Sequence, residues 1–155
     1  MIYNVSTLLS KPVGEIRRHE FTLKSFNTGN EFFSNLKCNL KMMKTHKNIL
    51  VYGEINTNLK DVCSRCLVPI KIGIKTSFEE EFISLYNITT NNFDDYYEED
   101  LNSYIIDKNN ELDLSKILKD HLISIIPIKK LCKITCLGKC TLCAINLNLE
   151  KCNCN

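Results

Sequence analysis

The stretch "NILVYGEINTNLKDVCSRCLVPIKIGIKTSFEEEFISL", residues 48–85, decides the fold. Residues 48–62 and 67–85 both have strand character, and between them sits a Cys-x-x-Cys, "CSRC", at the place of a turn. Working outward, residues 18–26 ("RHEFTLKSF") and 35–43 read as further strands. The Asn, Gly and Lys turns "NTGN" and "KTHKN" separate them. In "NLKCNLKM" the alternation puts Leu36, Cys38, Leu40 and Met42 on one face, so Cys38 reads as core packing. Lys37 and Lys41 fall on the opposite face. The expected fold class is α+β: an antiparallel β-sheet or small barrel with one C-terminal helix and a cysteine-rich, zinc-binding tail.

The rest of the chain changes character. Residues 87–111 lose periodicity and become Asn-rich and acidic, which reads as a long loop. "DLSKILKDHLISIIP" then places Leu114, Ile117, Leu118, Leu122, Ile125 and Ile126 along one helical face, with Asp113 as N-cap and Pro127 as the stop. The map is a single domain, 1–155: a mainly β region (1–86), an acidic loop (87–111), a helix (112–127) and a Cys-rich metal-binding tail (128–155). No internal repeat is evident. At 155 residues, 44% apolar and 25% charged, the chain has the composition of an ordinary globular domain and not of a disordered one. "MIYNVSTLLSKP" lacks the basic and apolar regions of a signal peptide, and no apolar run approaches the ~18 residues of a membrane helix. The expectation is a cytoplasmic protein with no membrane partner.

That placement governs the reading of the nine cysteines. Their number is odd and export signals are missing, so clustered reduced thiols point to metal rather than disulfides. The spacings are Cys63-x2-Cys66, Cys132-x3-Cys136, Cys140-x2-Cys143 and Cys152-x-Cys154, with Cys38 alone. Zinc takes four thiolates in a tetrahedron, and a two-residue spacer lets one turn present two sulfurs to one ion. Cys140, Cys143, Cys152 and Cys154 make a local site whose metal would order a terminal segment with little core of its own. Cys63 and Cys66 with Cys132 and Cys136 make a second, provided the fold brings the hairpin tip to the end of the helix. Other partitions stay open at this stage, Cys63 and Cys66 with Cys140 and Cys143 among them.

Charge is uneven along the chain. Residues 1–78 hold twelve Lys or Arg against five acids, while 79–100 hold eight acids and no base. Net charge, +2, does not by itself argue for nucleic acid. Its distribution offers a basic stripe of Arg17, Arg18, Lys37, Lys41, Lys44 and Lys47 on the β region, against the plain reading of a solvated face.

At these residues the chain resembles the YceD family of large ribosomal RNA subunit accumulation proteins. "DVCSRCLVPIKIGIKTSFEEEF" is similar to that family's cysteine-arginine-cysteine-leucine hairpin. "ELDLSKILKDHLISIIPIKKLCKITCLGKCTLCAINLNLEKCNCN" is similar to its second signature, an acidic-aliphatic helix, a proline, and a cysteine series with Asn-Leu-Asn and a final Cys-x-Cys. The carry-over reaches Cys63, Arg65, Cys66 and Leu67, and then Cys132, Cys136, Gly138, Cys140, Cys143, Asn146, Leu147, Asn148, Cys152 and Cys154. Where family members tend to have Leu-Cys-Pro and Cys-Gly, this chain has Lys139, Thr141 and Ala144. A residue after such a turn often takes positive φ, which costs a non-glycine roughly 1 kcal/mol.

The resemblance implies a non-enzymatic ribosome biogenesis factor whose partner is large-subunit ribosomal RNA or its precursor particle. The acidic loop suits a basic ribosomal protein as a second partner. Zinc would hold the hairpin tip and tail so that Arg65, Lys129, Lys130, Lys133 and Lys139 face phosphate. Equally, Arg65 supports the loop around the thiolates. The competing class is a thiol redox protein or an iron electron carrier built on the Cys-x-x-Cys pairs. The β-like flanks of "CSRC" do not predict the helix N-terminus that activates redox thiols. No glycine-flanked nucleophile, His-Glu pair or phosphate-cradling loop points to an active site or a small-molecule substrate. His19 and His46 have no ligand spacing, and His121 falls at the border of the helix's apolar face and reads as packed rather than catalytic.

Overall fold

The computed structural model describes residues 1–87, 92–93 and 104–154. Its elements are β1 (Ile2–Asn4), α1 (Ser6–Leu9), β2 (Ile16–Asn27), β3 (Phe32–Lys44), β4 (Ile49–Val62), β5 (Pro69–Ser84), β6 (Tyr86–Asn87), β7 (Asn92–Phe93), β8 (Tyr104–Ile106), β9 (Glu111–Asp113) and α2 (Ser115–Ser124). Residues 88–91 and 94–103, the heart of the expected acidic loop, lie outside the described residues.

Long alternating runs make long strands. β2 to β5 form a continuous antiparallel meander, each strand pairing with the next over most of its length. The full sheet has the order β1-β9-β8-β5-β4-β3-β2. It curls so far that its two edge strands meet, with the Tyr3 ring of β1 4.9 Å from the His19 ring of β2. The molecule is a curled half-barrel.

Alternation fixes which side is filled. Ile49, Val51, Ile55 and Leu59 of β4 point inward with Leu36, Cys38, Leu40 and Met42 of β3 and Ile74, Phe78 and Phe82 of β5. A bulge between Ser34 and Lys37, with Asn35 at φ +54°, keeps Phe33 and Leu36 both inside. Gly53 lies directly opposite Phe78, and a Cβ there would come within 2.1 Å of the Phe78 ring. The absence of a side chain lets that ring lie across β4. Burial pushes the Cys38 thiol up to about 12, in keeping with its core position. α2 closes the concave side with Ile117, Leu118 and Leu122, and α1 adds Leu8.

Three features depart from the expected architecture. The described residues hold two helices: α1 is one turn, too short for periodicity to register, and is started by Asn4, whose Oδ1 accepts from the Ser6 N–H at 3.2 Å and its hydroxyl at 2.6 Å. The sheet is not wholly antiparallel, because β8 runs parallel to β5. α2 is shorter than 112–127: residues 111–113 form β9 instead, held between β1 and β8. Asp113 still serves the helix from that strand, its Oδ1 accepting the Ser115 N–H at 2.9 Å.

Candidate metal centres

Eight thiols gather into two tetrads. Cys63, Cys66, Cys132 and Cys136 form one, Cys140, Cys143, Cys152 and Cys154 the other, and within each all four sulfurs lie within 4.8 Å of one another. In the first, Cys63 Sγ is 3.8 Å from Cys136 Sγ and Cys66 Sγ 3.6 Å from Cys132 Sγ. A regular tetrahedron with metal–sulfur bonds of about 2.3 Å has edges near 3.8 Å. In the second, Cys143 and Cys152 are 3.6 Å apart, and Cys152 and Cys140 are 3.3 Å apart. Four soft donors at this spacing fit a metal ion.

Both tetrads start from the same turn. The Cys63 N–H donates to the Val68 carbonyl at 2.8 Å and the Leu67 N–H to the Cys63 carbonyl at 2.9 Å. Seventy-seven positions on, Cys140 donates to Ile145 at 2.9 Å and Ala144 to Cys140 at 3.0 Å. Val62 pairs with Pro69 below the first turn, and Lys139 with Asn146 below the second. Each turn ends on a left-handed non-glycine residue, Leu67 at φ +59° and Ala144 at +60°. The replacement of glycine by Ala144 therefore leaves the turn in the positive-φ conformation and puts strain in it. The turn itself favours thiolate: the backbone N–H of Cys66 leads in holding Cys63 down at about 6, and that of Cys143 in holding Cys140 at about 6. A helix N-terminus is not needed for that.

The surroundings differ. Cys63, Cys66 and Cys136 are buried. The Arg65 guanidinium reaches over from the hairpin tip and donates through Nη1 to the Cys136 carbonyl at 2.8 Å, which is the local, loop-supporting role. The Ser64 N–H donates to the Lys130 carbonyl at 2.7 Å. Gly138 packs where a Cβ would lie 3.3 Å from the Arg65 carbonyl oxygen, at φ +82°. Lys130 itself ties down the tail, its Nζ bonding Glu31 of the β2–β3 turn at 3.2 Å and also Asp61 of β4. The Asp61 hydrogen bond is the main reason its pKa stands above the ordinary lysine value.

Asn148 links the two tetrads, a role the spacing of cysteines did not reveal. It belongs to the loop of the second tetrad, yet its Nδ2 donates to Cys136 Sγ of the first at 3.3 Å and its Oδ1 accepts the Leu137 N–H at 3.0 Å. Asn146 Oδ1 accepts from the same amide at 2.7 Å and so fixes its orientation. Burial pushes the Cys136 thiol up, and the Asn148 amide with the Gly138 N–H outweighs it, leaving it below the usual value. The Asn-Leu-Asn run, with two side-chain amides flanking a short loop between cysteines, was the available signal.

The residues read as a basic stripe do not form one. Arg18, Lys37 and Lys41 lie on the outer face of the sheet, but Arg17 pairs with the inward Met42 and turns to the other side. Lys44 is buried and donates to the His46 carbonyl at 3.1 Å. Lys133 and Lys139 are exposed beside the tetrads. Arg18 and Lys41 share their end of the face with Glu20, Glu54 and Glu79.

A search among curated proteins and another among solved structures each found no match. A family model described as "Large ribosomal RNA subunit accumulation protein YceD" matches residues 51–155, a span that runs from β4 through both tetrads, and the chain belongs to that family.

Proposed function

We propose that the protein is a non-enzymatic ribosome biogenesis factor, folding as a single cytoplasmic domain and supporting large-subunit ribosomal RNA accumulation by binding that RNA or its precursor particle. Zinc fills both tetrads as a structural ion. The observation that carries this reading is the buried tetrad, in which Cys63 and Cys66 of the β4–β5 hairpin meet Cys132 and Cys136 of the tail. A closed set of four cysteines with three of them buried leaves no open position for chemistry, which is the pattern of a structural zinc site. Family membership supplies the RNA.

The test is sedimentation of the tagged protein in lysate on a sucrose gradient at low and raised salt, with metal analysis of the purified protein. Salt-sensitive comigration with large-subunit precursors, and two zinc ions in a colourless protein, is the expected result. Recovery at the top of the gradient in both salts would overturn the assembly reading, and a red or brown iron-bearing protein would overturn structural zinc.

A further inference from the structure

Among the described residues the outer face of the sheet carries no helix, and it is divided by charge in a way the linear sequence conceals. Strand register lays its side chains in rows. Near the Gly14 end the rows are Arg18–Lys41–Tyr52–Glu79 and Glu20–Asn39–Glu54–Ser77, of mixed sign. Towards the tetrads they become Thr22–Lys37–Asn56–Lys75, then Ser25–Ser34–Asn58–Gly73, then Asn27–Phe32–Lys60–Lys71. These three rows hold four lysines and no acid. Lys24 projects from β2 beside them and is exposed like Lys37, Lys60, Lys71 and Lys75. Glu31 of the β2–β3 turn and Asp61 of β4, at this end, are both engaged by Lys130.

Lys60 and Lys71 stand directly opposite each other on neighbouring strands. Like charges in that position destabilise a sheet, and no ion pair to any of the four row lysines is found among the described residues. An array of this kind is relieved by a polyanion. Phe32, beside Lys60 in the same row, is two-fifths exposed, with Lys60 Nζ 5.1 Å from its ring centroid, so an aromatic surface accompanies the cations. Ring and ammonium together suit unpaired nucleotides.

We propose that this tetrad-side half of the outer sheet face, centred on Lys37, Lys60, Lys71 and Lys75, is a binding surface for the phosphate backbone of single-stranded RNA. The proposal rests on the reading of the protein as a ribosomal RNA factor and names the surface it uses. Arg18 and Lys41, at the mixed end, lie outside it.

The experiment uses the full-length, zinc-loaded protein and a fluorescein-labelled oligouridylate, with binding followed by anisotropy from about 0.05 to 0.2 M salt. Wild type binds with a negative slope of log affinity against log salt. Replacing all four lysines by Gln makes that slope shallower by roughly 3, at about 0.7 per phosphate contact on a single strand, and weakens binding at least about tenfold at the low-salt end. The four-fold Lys→Arg protein and the R18Q/K41Q protein keep binding. Removing the Lys60–Lys71 apposition leaves thermal stability and zinc content at or above wild type, so lost binding is not lost folding. Equal binding by wild type and the four-fold Gln protein overturns the surface. Capture by vesicles of seven parts phosphatidylcholine to three of phosphatidylglycerol without RNA binding also overturns it, in favour of an anionic membrane. The gradient separates the two levels: if wild type and the Gln protein both follow precursors, the surface falls and the assembly reading stands. If wild type itself stays at the top, the assembly reading falls.

Discussion

In the hairpin tetrad three of four cysteines are buried, whereas in the tail tetrad Cys143 and Cys154 are exposed and Cys140 and Cys152 half-buried. Both begin with the same turn, so the contrast lies in what each turn is joined to. A metal in the first connects Cys66 to Cys132, 66 positions apart; in the second it connects Cys143 to Cys152, nine apart. Closing the longer loop removes more freedom from the unfolded chain, by about 2 kcal/mol at ~0.6 kcal/mol per doubling of length. The hairpin tetrad also pins the tail to the sheet through Arg65, Ser64 and Lys130, while the tail tetrad has only its own short loop to order. One kind of turn thus serves two tasks, fastening a fold and shaping a terminus.

The sharpest way to break this contrast is to remove one thiol from each. Cys66→Ser removes one of the three buried thiols and leaves Cys63, Cys132 and Cys136 without their closure, and we expect a fall in melting temperature of about 10 °C, from a loss of several kcal/mol. Cys143→Ser should lower the main transition by no more than about 3 °C while releasing one metal ion. A metal-chelating indicator added to the metal-loaded wild type should accordingly take one ion quickly and one slowly. Equal melting shifts for the two variants would show that burial and loop length do not separate the sites.

Asn148→Ala tests the link between them. Losing an outer hydrogen bond to a ligand commonly costs 10- to 100-fold in metal affinity. Here the loss should appear in the slow, hairpin ion, although Asn148 sits in the loop of the other tetrad. If only the fast ion weakens, the contact with Cys136 is not what orients that sulfur. Lys130→Met comes next in size: it leaves Glu31 and Asp61 facing each other without their cation, at a cost of roughly 1–3 kcal/mol. The effect should shrink at acid pH, because Lys130 holds the Asp61 carboxyl below its usual range and that stabilisation disappears as the carboxylate is protonated. An unchanged melting curve at neutral pH would remove Lys130 from the set of ties.

Local patterns were legible in the sequence and long-range ones were not. β2 to β5 show in alternation because each buries one face, and the tail tetrad shows because its four cysteines lie within fifteen positions of one another. The partner of Cys63 and Cys66 depended on where α2 delivers the tail, which no spacing encodes. The same holds for the lysines: Lys60 and Lys71 are eleven residues apart in the chain and become neighbours only through hairpin register. Arg17 and Arg18 look like one patch and are not, since consecutive strand residues face opposite ways. β8 and β9 are three residues each, too short for a period to register, and their pairing with β5 and β1 is set by the sheet rather than by their own residues.

The smallest effect is the most discriminating about the turns themselves. Leu67 and Ala144 occupy matching left-handed positions, where a side chain costs about 1 kcal/mol relative to glycine. Leu67 is more than half exposed, so Leu67→Gly gives up little packing and should raise the main melting transition by about 2–4 °C. Ala144→Gly relieves the same strain, but in a turn whose order depends on its own metal. Its gain should therefore appear as up to about fivefold tighter binding of the fast ion, with the main transition unmoved. If both substitutions shift the main transition alike, the tail turn is coupled to the sheet as firmly as the hairpin, and Asn148 is the contact that would have to carry that coupling.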